Sequence, residues 1–443
     1  MNNVELKKVK NLKGELTLPP DKSISHRAIM FASLAEGESI VRNFLRAEDP
    51  VSTINAFRKL GIKIREENVI PPHPPLSKGG GSGNVVISGK GLYGLKEPFD
   101  VIDCGNSGTT ARLISGILAG SSFFSVLTGD DSLKQRPMSR VINPLKEMGA
   151  EISGRAGDKY LPMAVKGKTL KAVHYTTPVA SAQVKSCLIL AGLYANGTTA
   201  VTEPFKSRDH TERMLKAMGA GIEVHDLTVR INGGSRLHAF DVSVPSDFSS
   251  AAFFIAAALI VPGSEVLIKG VGINPTRTGL LEVLKEMGAN VELHNIRDVS
   301  GEPVADIYCK NAGSLRAAKI GKERIPSIID EFPILCVLAA QADGVTEIRG
   351  AGELRFKESD RIKAMSSELE KLGAGLEEHP DGITIKGTAH LKGCGVESYG
   401  DHRIAMSLAV AALAAEGTTV IKGASCVDIS FPGFFEKLRS LYR

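Results

Sequence analysis

The strongest constraint on this 443-residue chain is a repeat. A helix-ending pattern recurs at Lys59-Leu60-Gly61-Ile62, Glu147-Met148-Gly149-Ala150, Ala217-Met218-Gly219-Ala220, Glu286-Met287-Gly288-Ala289 and Lys371-Leu372-Gly373-Ala374. In each copy the Gly follows an amphipathic run and precedes an alternating stretch such as Ile222-Glu223-Val224, which reads as helix, left-handed glycine stop and strand. Phe434 to Leu441 supplies a sixth helix of this kind. A second pattern runs in phase with the first: an Ala/Leu-rich helix, a Gly, then a β-branched strand, with the glycines at Gly37, Gly120, Gly197, Gly263, Gly344 and Gly417. The five intervals from Gly37 to Gly417 average 76 residues. Units this long exceed the roughly 20 to 50 residues of solenoid repeats. They predict instead an α/β (α+β) protein of two lobes with three repeats each, the first over residues 20–243 and the second over 1–19 plus 244–443. The exchange point falls at Phe240 to Pro245, and deep clefts form at such junctions. The segment 71–83, rich in Pro and Gly, breaks the rhythm and is expected to be a solvated insertion without regular structure.

Composition narrows the partners. Apolar residues make up 43%, charged residues 23% and aromatics 5%, with no Trp, so the stacking platforms of single-strand nucleic-acid binders are poorly supplied. A net charge of +5 suits small acidic substrates at least as well as a polyanion, and no nucleic-acid partner is expected. The six cysteines form no Cys-x-x-Cys pair, and no His-Glu-x-x-His or similar spacing occurs, so neither a disulfide framework nor a metal site is expected and a reducing cytoplasm is the simpler location. The N-terminal ten residues alternate charge with apolar side chains and read as a first strand. The longest apolar stretch, Ala251 to Val261, is far shorter than the roughly 20 residues that cross a bilayer, so no membrane partner is expected.

The starts of the Ala-rich helices carry the most unusual residues: Asp21-Lys22-Ser23-Ile24-Ser25-His26-Arg27, Cys104-Gly105-Asn106-Ser107-Gly108-Thr109, Ala180-Ser181-Ala182-Gln183, Pro245-Ser246-Asp247-Phe248-Ser249, Ile329-Asp330-Glu331-Phe332 and Tyr399-Gly400-Asp401-His402-Arg403. Ser, Asp and Asn there are explained by capping. Capping does not explain Lys22, Arg27 and Arg403, because a cation near a helix start opposes the dipole unless an anion lies in front of the amides. Small residues such as Gly108, Ser181 and Ala182 would let a ligand approach the backbone. Two further runs, Asp130 to Arg140 and Phe356 to Arg361, mix acids and bases, and Glu358 between Lys357 and Arg361 is the kind of carboxyl whose pKa is tuned for proton transfer. Gly89-Lys90-Gly91-Leu92-Tyr93-Gly94 matches a dinucleotide string but leads to Lys96-Glu97-Pro98 rather than a helix, so it is set aside.

Five of these segments carry a resemblance: Asp21 to Ala28, Gly105 to Thr109, Arg136-Pro137-Met138, Lys357 to Arg361 and Asp401 to Met406. Together they resemble the 5-enolpyruvylshikimate-3-phosphate synthase family of enolpyruvyl transferases, whose fold is two lobes of three βαβαββ units. The resemblance implies a cytoplasmic, monomeric enzyme of aromatic amino-acid biosynthesis. It would join phosphoenolpyruvate to shikimate 3-phosphate by addition and elimination, without a metal or organic cofactor. It further implies that Lys22, Ser23, Arg27, Ser181, Ala182, Gln183, Arg208, Asp330 and Lys357 hold shikimate 3-phosphate. Lys22, Gly108, Arg136, Gln183, Arg361 and Arg403 would hold phosphoenolpyruvate, with Asp330, Glu358 and Lys22 catalytic. Arg208 to Glu212, Gly157-Asp158-Lys159, Ser181 to Lys185, Asn274 to Arg277 and Cys426 to Pro432 look like the family's second, often glyphosate-tolerant class, although Gly108 keeps the small residue associated with inhibitor access. Two alternatives stand beside this reading. One is the sister transferase acting on UDP-N-acetylglucosamine, whose mobile loop is expected to carry a Cys that Asp130 to Arg140 lacks; the other is a non-catalytic anion or nucleic-acid binder, which would need neither Asp330 nor Glu358.

Overall fold

The computed structural model describes residues 3–70 and 82–442. Six apolar helices form its interior: α1 (Lys22–Leu34), α2 (Gly108–Ala119), α3 (Ala182–Gly192), α4 (Phe248–Ile260), α5 (Phe332–Gln341) and α6 (His402–Ala414). In α4 every residue from Phe248 to Leu259 is buried, as expected of a helix that is apolar on all sides. The helices sort into two cores. Residues from Ile24 to Val244 build one, and Val4 to Leu18 together with Phe248 to Leu441 build the other.

Each of the first five core helices is followed by a Gly, a strand, an outer amphipathic helix and two more strands, and α6 by a Gly, the strand Thr418–Lys422 and the helix Phe434–Arg439. The glycines that end the outer helices, Gly61, Gly149, Gly219, Gly288 and Gly373, all have φ between +79° and +97°, so the left-handed stop read from the repeat is present in each of the five copies. Gly120 is required for a different reason: its φ is −93°, and a Cβ there would lie 2.3 Å from Tyr194 Cβ. Five of the units carry a four-stranded sheet and the sixth a three-stranded one.

The strand preceding each core helix normally pairs in parallel with the strand that follows it. Ile102–Asp103 pairs with Phe124–Thr128, His174–Thr176 with Thr198–Thr202, Lys319–Ile320 with Val345–Ile348 and Gly395–Glu397 with Thr418–Lys422. At α1 and α4 the two strands are exchanged. Lys13–Thr17, just before α1, pairs with Glu265–Gly272 after α4, whereas Val242–Ser243, just before α4, pairs with Glu36–Leu45 after α1. The chain therefore passes between the cores twice, and the two passes lie side by side. Asp21 N donates to Pro245 O (2.8 Å) and Asp247 N to Pro19 O (2.9 Å). The N-terminal strand Asn3–Lys7 completes the sixth sheet, antiparallel to Thr418–Lys422.

Most of the expected insertion, residues 71–81, lies outside the described residues. Its last two residues differ from expectation. Ser82 and Gly83 begin the strand Ser82–Lys90 and pair with Leu45 and Phe44, because the long partner strand Glu36–Leu45 offers ladder positions that far along.

Candidate active site

All six core helices present their starts to one cleft. Lys22 and Ser23 come from α1, Gly108, Thr109 and Arg112 from α2, Ser181 to Gln183 from the start of α3, Asp247 from that of α4, Asp330 from the turn before α5, and His402 with Arg403 from α6. Packing of the two cores brings the starts together, and local capping fixes where each begins. Asp21 accepts from Ile24 N, Ser107 from Thr110 N, Ser181 from Val184 N, Asp247 from Ser249 N and Asp401 from Arg403 N, so five of the six starts are held by a side chain. These caps leave the positive ends of the helices facing the same space.

The lining carries nine cations (Lys22, Arg112, Arg136, Arg140, Arg208, Arg277, Lys357, Arg361, Arg403) against five carboxylates (Asp49, Asp247, Asp330, Glu353, Glu358), a surplus of four positive charges. Two carboxylates sit at the centre of this field. Asp330 pairs with Arg208 through Oδ2, lies 3.4 Å from Arg361 Nη1 and 3.5 Å from Arg403 Nη2, and its backbone carbonyl accepts from Arg403 Nη1 at 3.0 Å. Burial opposes its charge, but Arg208, Arg403, Lys357 and Arg361 together outweigh burial and hold the carboxyl well below the ordinary aspartate value. Glu358 accepts from Arg361 Nη2 at 2.7 Å and lies 3.5 Å from Arg136 Nη1. Against the same opposition from burial, Arg361 and Arg136 chiefly, with Lys22, hold it well below the glutamate value.

The cations respond in the opposite sense. Burial, only partly offset by Asp330, pulls Lys357 down to about 8. Burial and the nearby Arg140 and Arg136 pull Arg112 down to about 9. His402 is driven down to about 3 by burial and Lys22, so its imidazole is neutral, and its Nε2 has no hydrogen-bond partner among the described residues. Arg136 is aimed by Asn106, donating to its carbonyl (3.2 Å) and side-chain oxygen (2.7 Å), and by Ser132 Oγ (3.0 Å). Lys22 Nζ reaches Asp49 Oδ2 (3.2 Å) and Ser430 Oγ (2.9 Å). Arg140 reaches across the cleft to Glu353 at 2.7 Å.

A cleft of this construction suits small, strongly anionic molecules and sets two carboxylates among its cations, and relatives that share one name match the whole chain. The family model for EPSP synthase (3-phosphoshikimate 1-carboxyvinyltransferase) matches residues 6–438. The chain belongs to the EPSP synthase family. It is 55% identical to the 3-phosphoshikimate 1-carboxyvinyltransferase of Thermodesulfovibrio yellowstonii, with 100% of both chains covered, and 51% identical to that of Citrifermentans bemidjiense, with 100% of this chain and 99% of the other covered. Among solved structures, EPSP synthase from Acinetobacter baumannii superimposes with a TM-score of 0.86 at 44% identity, covering 99% of this chain and 98% of that one. The enolpyruvyl transferase NikO from Streptomyces tendae, at 18% identity and a TM-score of 0.76, shares the two-lobed fold.

Against this family frame, Lys22, Ser23, Gly108, Arg136, Ser181, Ala182, Gln183, Arg208, Asp330, Lys357, Glu358, Arg361 and Arg403 all line the cleft. Arg27 does not. It lies in the second turn of α1 and points behind the cleft wall, where Nε donates to Thr211 Oγ1 (2.8 Å) and Nη2 to Ser186 Oγ (3.0 Å). Burial, only partly offset by Glu212, lowers it to about 10. Arg112 is the principal lining cation that motif reading passed over: Nη1 donates to Gln183 Oε1 at 2.6 Å and Nη2 to Pro137 O at 3.2 Å. Its signal was helical periodicity, because a residue four after Gly108 shares its face of α2. Arg277 was likewise missed as a lining residue; its Nη2 donates to Ser249 Oγ at 2.7 Å.

Proposed function

We propose that this protein transfers the enolpyruvyl group of phosphoenolpyruvate to the 5-hydroxyl of shikimate 3-phosphate and releases phosphate. The observation that carries the reading is the pairing of Asp330 and Glu358 with a cationic cleft at the meeting of six helix starts. Counting each phosphate as roughly −1.5 to −2 and adding two carboxylates, the substrates bring about −5 to −6 of charge. The surplus of four positive charges on the lining calls for such partners. Membership of the family tells against UDP-N-acetylglucosamine as acceptor and against a purely binding role.

In this reading Lys22 contacts both substrates. Ser23, Ser181, Ala182, Gln183, Arg208 and Lys357 hold shikimate 3-phosphate, with Arg27 supporting them from behind the wall. Arg136, Arg361 and Arg403 clamp phosphoenolpyruvate, whose phosphate approaches the backbone at Gly108. Asp330 takes the proton of the attacking hydroxyl. Glu358, ionised while Arg361 and Arg136 face it alone, takes up a proton with help from Lys22 once the substrate anions neutralise those guanidiniums, delivers it to the methylene carbon and later removes one as phosphate leaves. A carboxyl held far below neutrality is a poor base. Substrate anions neutralise Arg208, Arg403, Lys357 and Arg361, which removes the field that depresses Asp330 and brings its pKa up when the hydroxyl is in place.

The lobes, residues 20–243 and 1–19 with 244–443, close on the substrates about the paired passes at Pro19 to Asp21 and Pro245 to Asp247. The family acts on two small molecules, and among the described residues no helix is long and apolar enough to cross a membrane. We take the working form to be a cytoplasmic monomer. Mixing the purified protein with both substrates and measuring released phosphate tests the proposal; no release would overturn it.

A further inference from the structure

Beside the cleft, a second polar cluster joins the two cores, and the reaction proposed above makes no use of it. Its first-core half is the start of the helix His210–Ala217, which follows directly on Arg208. Its second-core half is Asn274, Thr276 and Glu302, and Arg277 follows directly on Thr276. Arg208 and Arg277 both line the cleft, so each half of the cluster is continuous in sequence with a substrate-facing guanidinium.

The contacts are close and buried. His210 Nδ1 lies 2.6 Å from Glu302 Oε1, with side-chain exposures of 2% and 4%. Asn274 Nδ2 bridges the halves, donating to Glu302 Oε2 at 2.9 Å and to Asp209 Oδ1 at 2.7 Å. The Thr276 hydroxyl faces Asp209 from the same side, 3.3 Å from both its amide nitrogen and Oδ1. Asp209 stands at the N-cap of its helix but accepts no bond from that helix's amides; its Oδ1 accepts from Arg213 Nε of the same helix at 3.0 Å and, across the boundary, from Asn274. Glu302 is opposed by burial yet held below the ordinary glutamate value by His210 and Asn274. Buried charged hydrogen bonds of this kind favour one geometry, even though His210 Nε2 is buried with no hydrogen-bond partner among the described residues.

We propose that His210, Asn274 and Glu302 form a latch across the lobe boundary that sets the positions of Arg208 and Arg277, making them positioning residues for the phosphorylated acceptor. The latch joins the lobes where the two guanidiniums leave the chain, and so ties their orientation to the contact between the lobes. Phosphoenolpyruvate, held by Arg136, Arg361 and Arg403, does not depend on it. This inference rests on the reaction assigned to the cleft.

The test is steady-state kinetics of Glu302→Ala, Glu302→Gln and the near-isosteric Thr276→Val, with phosphate release as the readout and each KM measured at saturation of the other substrate. Glu302→Ala is expected to raise KM for shikimate 3-phosphate about tenfold, the scale of a lost charged hydrogen bond, with KM for phosphoenolpyruvate changed less than about twofold. Glu302→Gln keeps one acceptor, for Asn274, and turns its NH2 toward His210 Nδ1, which suits the tautomer with Nδ1 unprotonated, so it is expected to restore part of the loss, and Thr276→Val to show a smaller rise of the same selectivity. A parallel rise in both KM values, no change in either, or a Gln variant as impaired as Ala would overturn the latch. If Glu302→Ala does not fold, the selectivity of Thr276→Val decides. An unaltered protein that releases no phosphate would remove the assigned reaction, and the latch with it. An active unaltered protein with unselective variants would remove the latch alone.

Discussion

Arg361 Nε donates to Asp401 Oδ2 at 2.8 Å, and the two side chains are 1% and 0% exposed. The carboxylate does two jobs, since its other oxygen accepts from Arg403 N and caps α6. Removing it takes the Nε partner from a buried guanidinium that Glu358 and Asp330 still pair, and uncaps the helix that carries Arg403. Asp401→Ala is expected to lower unfolding free energy by about 2–4 kcal/mol, a charged hydrogen bond plus a helix cap, read from urea denaturation. Asn caps a helix as well as Asp does, so Asp401→Asn isolates the ion pair and should fall between the two. An Ala variant of unaltered stability would show that water reaches this pair.

Asp330 is the assigned base. Asp330→Ala is expected to cut turnover by at least the roughly 10²- to 10⁴-fold typical of general-base catalysis, while phosphoenolpyruvate binding stays measurable by calorimetry. Near-normal turnover would remove Asp330 from the mechanism.

Lys357 supplies a pH dependence. Its folded pKa is about 8 against an ordinary value of 10.5. Between those two values the unfolded chain binds more protons, so this group's contribution to stability rises with pH across that window; below about 8 it is uniformly unfavourable. Substrate binding works the other way, because an adjacent phosphate restores the ammonium. Shikimate 3-phosphate should therefore bind with proton uptake near pH 8–9 and weaken as pH rises past about 8, whereas Lys357→Arg should flatten the profile. Calorimetry in buffers of different ionisation enthalpy measures the uptake, and its absence would refute the assignment.

A Cβ on Gly108 would sit 3.0 Å from Arg112 Nη1 and 3.7 Å from Arg136 Nη1. Gly108→Ala must push Arg112 away from Gln183 or narrow the approach to the α2 backbone. Overpacking of about 1–3 kcal/mol corresponds to a KM for phosphoenolpyruvate raised some 5- to 100-fold, with the other KM little altered. Equal affinities in both forms would mean that the phosphate lies elsewhere.

Arg140 with Glu353, Arg136 with Glu358, and Arg208 with Asp330 all bridge the two lobes. With cations in excess on the lining, this closed arrangement is favoured once substrate anions enter. Small-angle scattering should show a smaller radius of gyration after adding shikimate 3-phosphate with a phosphoenolpyruvate analogue. A profile unchanged by both ligands would count against closure.

The repeat was legible because it is written in local chemistry. Gly61, Gly149, Gly219, Gly288 and Gly373 each occupy a left-handed position that other residues rarely adopt, so the period survives in the sequence itself. The helix starts were legible for a similar reason: caps such as Asp21, Ser107 and Asp401 act within three residues of their own position. Lys22, Arg136, Arg361 and Arg403 stood out through short motifs, and the packed chain brings them to one cleft. Arg112 had no motif and needed the direction of α2. Arg27 had a motif, but only packing against Thr211 and Ser186 turned it behind the wall.

The exchange of Lys13–Thr17 and Val242–Ser243 was expected only as lobe bounds, 1–19 with 244–443 and 20–243 by itself; the strand pairings that make it were not legible. Strand pairing joins residues more than two hundred positions apart, and a short β-branched strand carries no mark of which sheet it will complete. The sequence by itself determined six repeats, their helix starts and most of the cations that line the cleft, because those depend on neighbours along the chain. Only the tertiary structure decided which strands pair across the exchange, that Arg112 and not Arg27 faces the cleft, and that Asp209 and His210 of one lobe meet Asn274 and Glu302 of the other. Those outcomes follow from long-range burial and hydrogen bonding.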